Sequence, residues 1–565
     1  MSSARNAIAL ASVCVALAAS CGSDSGSAPG SGASSASAPW FVEEARARGL
    51  VFQHSSGHAS EYWMPEIMGG GAALFDMDQD GDLDAYLVQS GTLADGARSE
   101  TLANALFAND GRGTFRDVSA ASGATDPRYG MGVACGDGDG DGDTDLFVTN
   151  VGRNTLLRNA GAGRFEDASV ASGLATPEGW STSAAFLDAD RDGDLDLFVA
   201  RYLEWSREGD LVCNSQRGRD YCSPKSYKTP ARALFYRNLG AGKFEDASAS
   251  SGIALAPSTG LGVAVGDLDG DGWLDVFVAN DGRANHLWRN LHDGRFENVA
   301  LLTGCGVDAG GVPKAGMGVE LFDFDGDLDL DVLVCNLDGE SDSCYRNDGG
   351  TFSDQTPATA LAALTKSFTR FGLALGDFDQ DGGLEAYIAD GRVERPNQPP
   401  LASDPYAEAN LLLTRGADGR FSEVLPRGGT RELLLGTSRA VAEGDVDGDG
   451  ALDLVVVNRD GPAYLLLDRV EHRGNWALLS VLEKTGAAAL GATLDVELAG
   501  KHLRRDVCAA FGYLASHDPR VHLGLGKVER IDAVVVTWVD GTRERFGPFA
   551  ANAVHVLRRG QGAPR

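Results

Sequence analysis

Residues 267–280 read DLDGDGWLDVFVAN, in which Asp267, Asp269, Asp271 and Asp275 run without pause into an apolar strand. Like charges set this close repel one another, so the spacing calls for a counter-charge. The same comb, D-x-D-x-D-G-x-x-D with small departures, opens at Asp76, Asp137, Asp188, Asp267, Asp323, Asp377 and Asp445. Before each comb lies a short apolar or glycine-rich stretch such as GVAVG or GLALG. After each comes a strand such as LDAYLV, TDLFVTN or LDVFVAN. Two further pieces recur: a strand ending in Arg-Asn (LLRN, LFYRN, HLWRN, CYRN) and one opened by a glycine turn (GRFEDAS, GKFEDAS, GTFSDQT).

Four short strands per repeat, divided by glycine turns, predict an all-β chain built of propeller blades. The ends of the array point to a closed ring. WFVEEARARGL, from Trp40, resembles a fourth strand without its first three, and the repeat after Asp445 has three strands, ending at AYLLLD, without a fourth. An open array would leave two bare edges; a ring completed by the N-terminal strand leaves none. The expectation is a seven-bladed β-propeller over residues 40–468, followed by a small β-rich domain over 469–565. The longest gaps between combs hold insertions, RYLEWSREGDLVCNSQRGRDYCSPKSYKTP and VERPNQPPLASDPYAEAN, where specificity is expected to sit.

Oxygen ligands spaced two apart on a tight loop suit a hard cation, calcium above all. Carboxylates would serve at positions 1, 3, 5 and 9, a backbone carbonyl near 7, and glycine at 6 would let the chain wrap the ion. An EF-hand needs glutamate at position 12 between helices; here position 12 is Leu87, Val148, Val199, Val278, Val334, Ile388 or Val456, each on a predicted strand. Five ligand sets are complete: Asp76, Asp78, Asp80, Asp84; Asp137, Asp139, Asp141, Asp145; Asp188, Asp190, Asp192, Asp196; Asp267, Asp269, Asp271, Asp275; and Asp445, Asp447, Asp449, Asp453. The sixth, Asp377, Asp379, Asp381 and Glu385, ends in a longer ligand. The fifth, Asp323, Asp325, Asp327 and Asp331, carries Leu328 where glycine belongs, which puts its occupancy in question. Up to seven structural calcium ions are expected. The bland alternative, Asx-turns with no ion, would have to recur seven times in register between strands. Integrin α-subunit propellers, with their FG-GAP repeats, look like this.

The 565-residue chain carries a formal net charge of −32, which argues against nucleic acid or an anionic lipid surface as partner. MSSARNAIALASVCVALAASCGSDSGS reads as a secretory signal over 1–20, too short for a membrane span. Leu17-Ala18-Ala19-Ser20-Cys21 resembles a bacterial lipobox, so Cys21 is expected to carry lipid, with 21–39 as a flexible Gly/Ser/Ala tether. Simple secretion after cleavage near Ser20 is the alternative. The expected address is a bacterial outer membrane or cell surface, otherwise the periplasm or medium. In that oxidising setting Cys213–Cys222 and Cys335–Cys344 are expected disulfides, while Cys135, Cys305 and Cys508 are expected to be buried as small apolar residues.

From about Val470 the combs give way to alternating strands, NWALLSVL, GATLDVELAG, VHLGLG and IDAVVVTWVDGTRERF, with a hairpin at Asp540-Gly541. PEIMGGGAALFDMDQDGDLD, VANDGRANHLWRN and GNWALLSV…GYLASHDPRVHLGLG together resemble the cartilage acidic protein family, FG-GAP/VCBS-repeat proteins with a C-terminal ASPIC/UnbV domain. That resemblance implies a calcium-binding extracellular propeller and no settled catalytic activity.

Nothing in the sequence assembles a catalytic constellation. Ser516-His517-Asp518 are adjacent on the chain and cannot point at one another as a triad requires. His54 and His58 lie in a loop-like stretch, and Gly69-Gly70-Gly71 reads as close blade packing. The favoured reading is a surface-tethered scaffold that binds an extracellular protein or glycan through its loops, touching membrane only through its lipid. The alternative is an extracytoplasmic enzyme, for instance one acting on polysaccharide, with its site at the propeller's centre.

Overall fold

A computed structural model describes residues 38–93, 102–175, 177–397, 399–471 and 473–565. The signal, Cys21 and most of the tether lie outside the described residues.

Each repeat folds as a four-stranded antiparallel sheet. In the fourth, Gly260–Gly266 pairs with Asp275–Asn280, which pairs with His286–Asn290, which pairs with Phe296–Asn298. The comb joins the first strand to the second. Seven such units follow one another, their innermost strands being Ala72–Phe75, Tyr129–Gly136, Gly179–Leu187, Gly260–Gly266, Gly316–Phe322, Arg370–Gly376 and Ser438–Gly444. In the seventh the outer strand is Phe41–Glu43, with Phe41 opposite Asp468 and Glu43 opposite Leu466.

The innermost strands pack side by side in a propeller-like ring, and a small residue five places before each comb makes that approach possible. A Cβ on Gly71 would lie 2.7 Å from Gly132 Cα, one on Gly262 2.2 Å from Met317 O, one on Gly318 2.1 Å from Phe371 O, and one on Gly372 2.5 Å from Arg439 O. Ala440 N–H donates to Gly70 O at 3.3 Å, bringing the seventh unit back to the first. Between units the cores are apolar wedges; Val263, Val276, Trp288 and Phe296 of the fourth pack on Ala185, Phe198 and Phe235 of the third.

The C-terminal strands form two larger sheets and a short two-stranded one, Arg530–Ile531 with Phe549–Ala550. Asn475–Leu482 lies between Val521–Gly526 and Ala553–Arg558, and Thr493–Leu498 lies between Lys501–Asp506 and Ala533–Thr537. Gly541, at φ 82°, turns the expected hairpin between Ala533–Thr537 and Arg543–Phe546. These sheets share a core with the second and third units, where Leu479, Leu494 and Trp538 meet Phe147, Phe186 and Tyr236.

One segment of this module, Cys508 to Asp518, runs along the ring's centre and touches the innermost strand of every unit. Ala515 and Ser516 pair in parallel with Ala72 and Ala73. Ser516 Oγ accepts from Cys135 N–H (3.2 Å), Ser183 Oγ accepts from Leu514 N–H (3.0 Å), and Cys508 Sγ lies 3.9 Å from Val265 O. Gly512 and Val319 exchange both backbone hydrogen bonds, a Cβ on Gly512 would lie 2.9 Å from Leu373 O, and Asp518 N–H donates to Glu443 O. Tyr513, wholly buried, donates its hydroxyl to Met68 O at 2.8 Å.

Cysteine pairing follows expectation in one case and departs from it in the other. Cys213 and Cys222 form a disulfide with Cα atoms 5.1 Å apart. Cys335 and Cys344 are free, buried thiols. Their strands pair with Leu333 opposite Cys344, so Cys335 is the diagonal neighbour on the same face, about 7–8 Å away by Cα and beyond disulfide reach. Cys135 and Cys305 are buried as expected, and Cys508 is half-buried.

Candidate metal centres

All seven combs fold alike. The carboxylate at position 1 accepts backbone N–H groups from within its loop. Asp267 Oδ1 accepts from Gly270 (2.9 Å) and Oδ2 from Gly272 (2.9 Å); Asp76, Asp137, Asp323 and Asp445 repeat both bonds. Two residues per loop must then be left-handed, those at positions 4 and 6. At position 6 Gly272 has φ 88°, and Leu328 takes the same turn at φ 76°. The fifth comb therefore keeps the shape of the others, at the steric cost of a Cβ in that region.

Position 9 is the inner anchor. Asp84, Asp145, Asp196, Asp275, Asp331 and Asp453 are at most 2% exposed. Each accepts one N–H from position 2 of its own loop, as Leu268 N–H to Asp275 Oδ2 (3.1 Å), and one from the end of the third strand, as Asn290 N–H to Asp275 Oδ1 (2.9 Å). Glu385 does the same work in the sixth, accepting from Phe378 N–H (3.1 Å) and from the Thr414 hydroxyl (3.3 Å). Asp76, Asp78 and Asp84 bring ligand oxygens within 4.8 Å of one another, as do Asp137, Asp139 and Asp141; Asp188, Asp190 and Asp192; Asp267, Asp269 and Asp271; and Asp323, Asp325 and Asp331.

Burial, reinforced by neighbouring carboxylates, raises the inner anchors: Asp84 and Asp331 to about 7, Asp145 and Asp196 to about 8, Glu385 to about 9. Asp137, Asp188 and Asp445 at position 1 rise to about 6 for the same first cause, their loop N–H bonds pulling the other way. Asp188, Asp190, Asp377 and Asp447 each keep a buried Oδ1 with no hydrogen-bond partner. Oxygen-only donors, converging and under-satisfied, fit a hard divalent cation.

The seven loops differ in their built-in counter-charges. The arginine of the Arg-Asn strand end approaches position 3 in three units: Arg158–Asp139 3.9 Å, Arg237–Asp190 3.9 Å, Arg346–Asp325 3.6 Å. In the fourth, His292 meets Asp271 at 2.6 Å; in the seventh, Arg469 and Arg473 meet Asp447 (2.7 Å) and Asp449 (2.9 Å). Among the described residues the first and sixth combs have no such ion pair.

The asparagine that closes the third strand, preceded by arginine in four units and by Ala108 in the first, has a role the sequence did not disclose. Its amide crosses to the preceding comb: Asn109 to Val446 O, Asn159 to Met77 O, Asn238 to Gly138 O, Asn290 to Ala189 O and Asn347 to Leu268 O, all between 2.8 and 2.9 Å. Five combs are thus latched to the next unit. In the sixth unit the place is Arg415, whose guanidinium lies over Phe324 (3.7 Å) instead.

The remaining candidates have structural places. Ser516 and His517 are wholly buried in the axial segment; His517 stacks on Phe511 at 3.5 Å, and burial lowers it to about 3. His54 is buried against the Ser90 hydroxyl (3.1 Å), while His58 Nδ1 meets Glu66 at 2.7 Å, so the two histidines do not converge.

Known proteins fit this geometry. The FG-GAP-like repeat family matches residues 76–148, 137–199, 210–278, 267–334 and 323–388; four of these matches open at a comb, and the third opens at Asp210 within the long insertion. The chain belongs to the FG-GAP-repeat family. Residues 483–564 of this FG-GAP protein match the ASPIC and UnbV family, so both halves of the expected resemblance are present. Cartilage acidic protein 1 of Xenopus tropicalis is 30% identical over 292 residues, covering 50% of this chain and 42% of that protein; the Homo sapiens protein is 28% identical over 305, covering 52% and 43%. The match spans less than half the length of these relatives. Solved structures similar to the FG-GAP chain include an Agrocybe aegerita lectin that recognises non-reducing terminal N-acetylglucosamine (TM-score 0.38, 15% identity, 68% of this chain and 88% of that one). A Bacillus licheniformis rhamnogalacturonan lyase follows at TM-score 0.37 and 16% identity, covering 71% and 72%. Among the described residues no helix is long and apolar enough to cross a membrane.

Proposed function

We propose that this protein is an exported, calcium-stiffened seven-bladed scaffold, lipid-anchored through Cys21, that binds an extracellular protein or glycan. The observation that carries the calcium reading is the repetition of one under-satisfied, all-oxygen loop geometry around the ring. Asp76, Asp137, Asp188, Asp267, Asp323, Asp377 and Asp445 with their position 3, 5 and 9 partners would hold the ions. Bound calcium would supply charge neutralisation and stiffness.

The ligand surface we assign is where the two insertions meet residues 58–66. There Tyr62, Tyr221 and Tyr406 stand edge to face at 5.1 and 5.5 Å, Arg395 lies over the Tyr62 ring at 5.0 Å, and Asp220 accepts the Tyr406 hydroxyl at 2.6 Å. The Cys213–Cys222 disulfide staples one insertion, and the apolar side chains Val212 and Leu401 are 66% and 77% exposed on the two insertions. Tyr221, Tyr406 and Asp220 are buried and brace the half-buried Tyr62 and Arg395, whose ring and guanidinium suit a glycan or a polar protein surface. The alternative reading puts a catalytic site at the ring's centre, but Cys508–Asp518 occupies that place.

Incubating the mature protein with glycan arrays and surface extracts, with calcium or with chelator, tests the proposal. Calcium-dependent retention that Arg395→Ala abolishes is expected. Turnover of a polysaccharide, or retention indifferent to Arg395, would overturn it.

A further inference from the structure

The repeat supplies its own control for the ring's interior. Three places before the comb stand Ala73, Ala134, Ala185, Ala264, Ala374 and Ala442, all buried, but in the fifth unit Glu320. Two places before it stand Leu74, Cys135, Phe186, Val265, Leu321 and Leu375, but in the seventh unit Glu443. The two exceptions flank the sixth unit from either side, and both line one cavity of about 150 Å³ between the ring and the C-terminal module. Glu320 is 6% exposed. Glu320 Oε2 and Glu443 Oε2 are both buried without a hydrogen-bond partner, and the charge of Glu443 acts directly on Glu320.

The arginines of the same cavity are committed elsewhere. Arg504 pairs with Asp506 (3.1 Å) and Arg520 with Asp518 (2.9 Å), while Arg505 donates to Arg504 O (2.8 Å) and feels Asp377 and Asp323. Two carboxyls that line this space without a cationic partner, Glu320 buried and Glu443 half-buried, each keeping one oxygen that meets neither donor nor solvent, are costly unless something neutralises them.

We infer that the cavity, whose wall also reaches Asp323 and Asp377 at the foot of the fifth and sixth combs, is a further divalent-cation site held by the carboxylates of Glu320 and Glu443. Its ion would tie the fifth and seventh units together across the sixth and sit beside the axial segment, so that docking of the C-terminal module and closure of the ring share one ligand. The inference does not depend on the combs being filled.

Manganese is the probe. The variant E320A/E443L restores at each place the residue type found in other units, and E320Q/E443Q removes the charges with little change of shape. Crystals of the full chain soaked in manganese should give an anomalous peak between Glu320 and Glu443. Dialysed protein should hold one manganese per chain more than either double variant by plasma mass spectrometry, whatever the number at the rim. In chelator the E320A/E443L form should melt above the parent, since two buried like charges are gone. An axial density made of water alone, or equal manganese content in parent and E320Q/E443Q, would overturn the site. A peak on the axis with none in the combs would spare it and sink only the rim assignment.

Discussion

Asp275 and Glu320 are both buried carboxyls on strands of adjacent units, yet their surroundings teach opposite lessons. Asp275 sits in a loop that donates N–H groups from Leu268 and Asn290 and opens toward solvent through Asp269 and Asp271. Glu320 lies on the inner side of its strand, where Oε2 meets no donor. At the rim the backbone has been shaped to tolerate negative charge, and the shape recurs seven times. At the axis, a carboxyl interrupts an apolar pattern in two units, and burial pushes both carboxyls up, Glu443 to about 8. Acidity alone therefore does not mark a site; the supply of backbone donors around it separates a repeated loop that could hold an ion from an isolated exception.

The largest effect that could break this contrast is removal of the rim ions. Calorimetry in chelator and in millimolar calcium should differ by tens of degrees, since each site filled at a hundredfold its Kd adds about 2.7 kcal/mol by mass action. Equal melting in both would mean the loops stand without ions.

Acidity should act next. Asp84, Asp145 and Asp196 titrate near 7 to 8 in the fold against a model-peptide value of 3.8. Between about pH 4 and 8 the folded metal-free protein then holds more protons than the unfolded chain, and its stability falls as pH rises through that window. Calcium binding would displace those protons, so the difference made by chelator should be small at pH 5 and grow toward pH 8. A chelator effect constant from pH 5 to 8 would remove the rim anchors from the account.

The latches come third. Asn290→Ala strips Ala189 O of its partner across the unit boundary (2.8 Å) and leaves Leu274 O short as well (3.3 Å). Urea melts should lose about 1–3 kcal/mol. Arg289→Ala, next to it on the half-buried face, should cost well under that. Smallest is the fifth comb: Leu328→Gly relieves a left-handed leucine and should add about 1 kcal/mol, whereas Gly272→Leu in the fourth should cost a similar amount. If both changes are neutral, the two loops are less alike than φ 76° and φ 88° indicate.

What was legible in the sequence was whatever repeats. Seven combs in register with apolar strands give the sheets and the candidate ligands, and the offset between Trp40 and Asp468 gives the closing strand that pairs Phe41 with Asp468. What was not legible is held by single long-range contacts. Cys508–Asp518 has no period of its own, because its contacts go to strands of seven different units. The Arg-Asn motif was visible, but its amide's partner lies one unit back. Cys335 and Cys344 look paired by spacing, and only the register, Leu333 opposite Cys344, puts them on a diagonal. Glu320 and Glu443 could have been found by aligning the repeats and asking where alanine or an apolar residue fails.

Metal content is the most direct test of the central claim. Protein dialysed against micromolar calcium and analysed by plasma mass spectrometry should carry six or seven rim calcium ions per chain, with Asp145→Ala and Asp275→Ala each removing one. No calcium above buffer, or a content unchanged by both substitutions, would contradict the account.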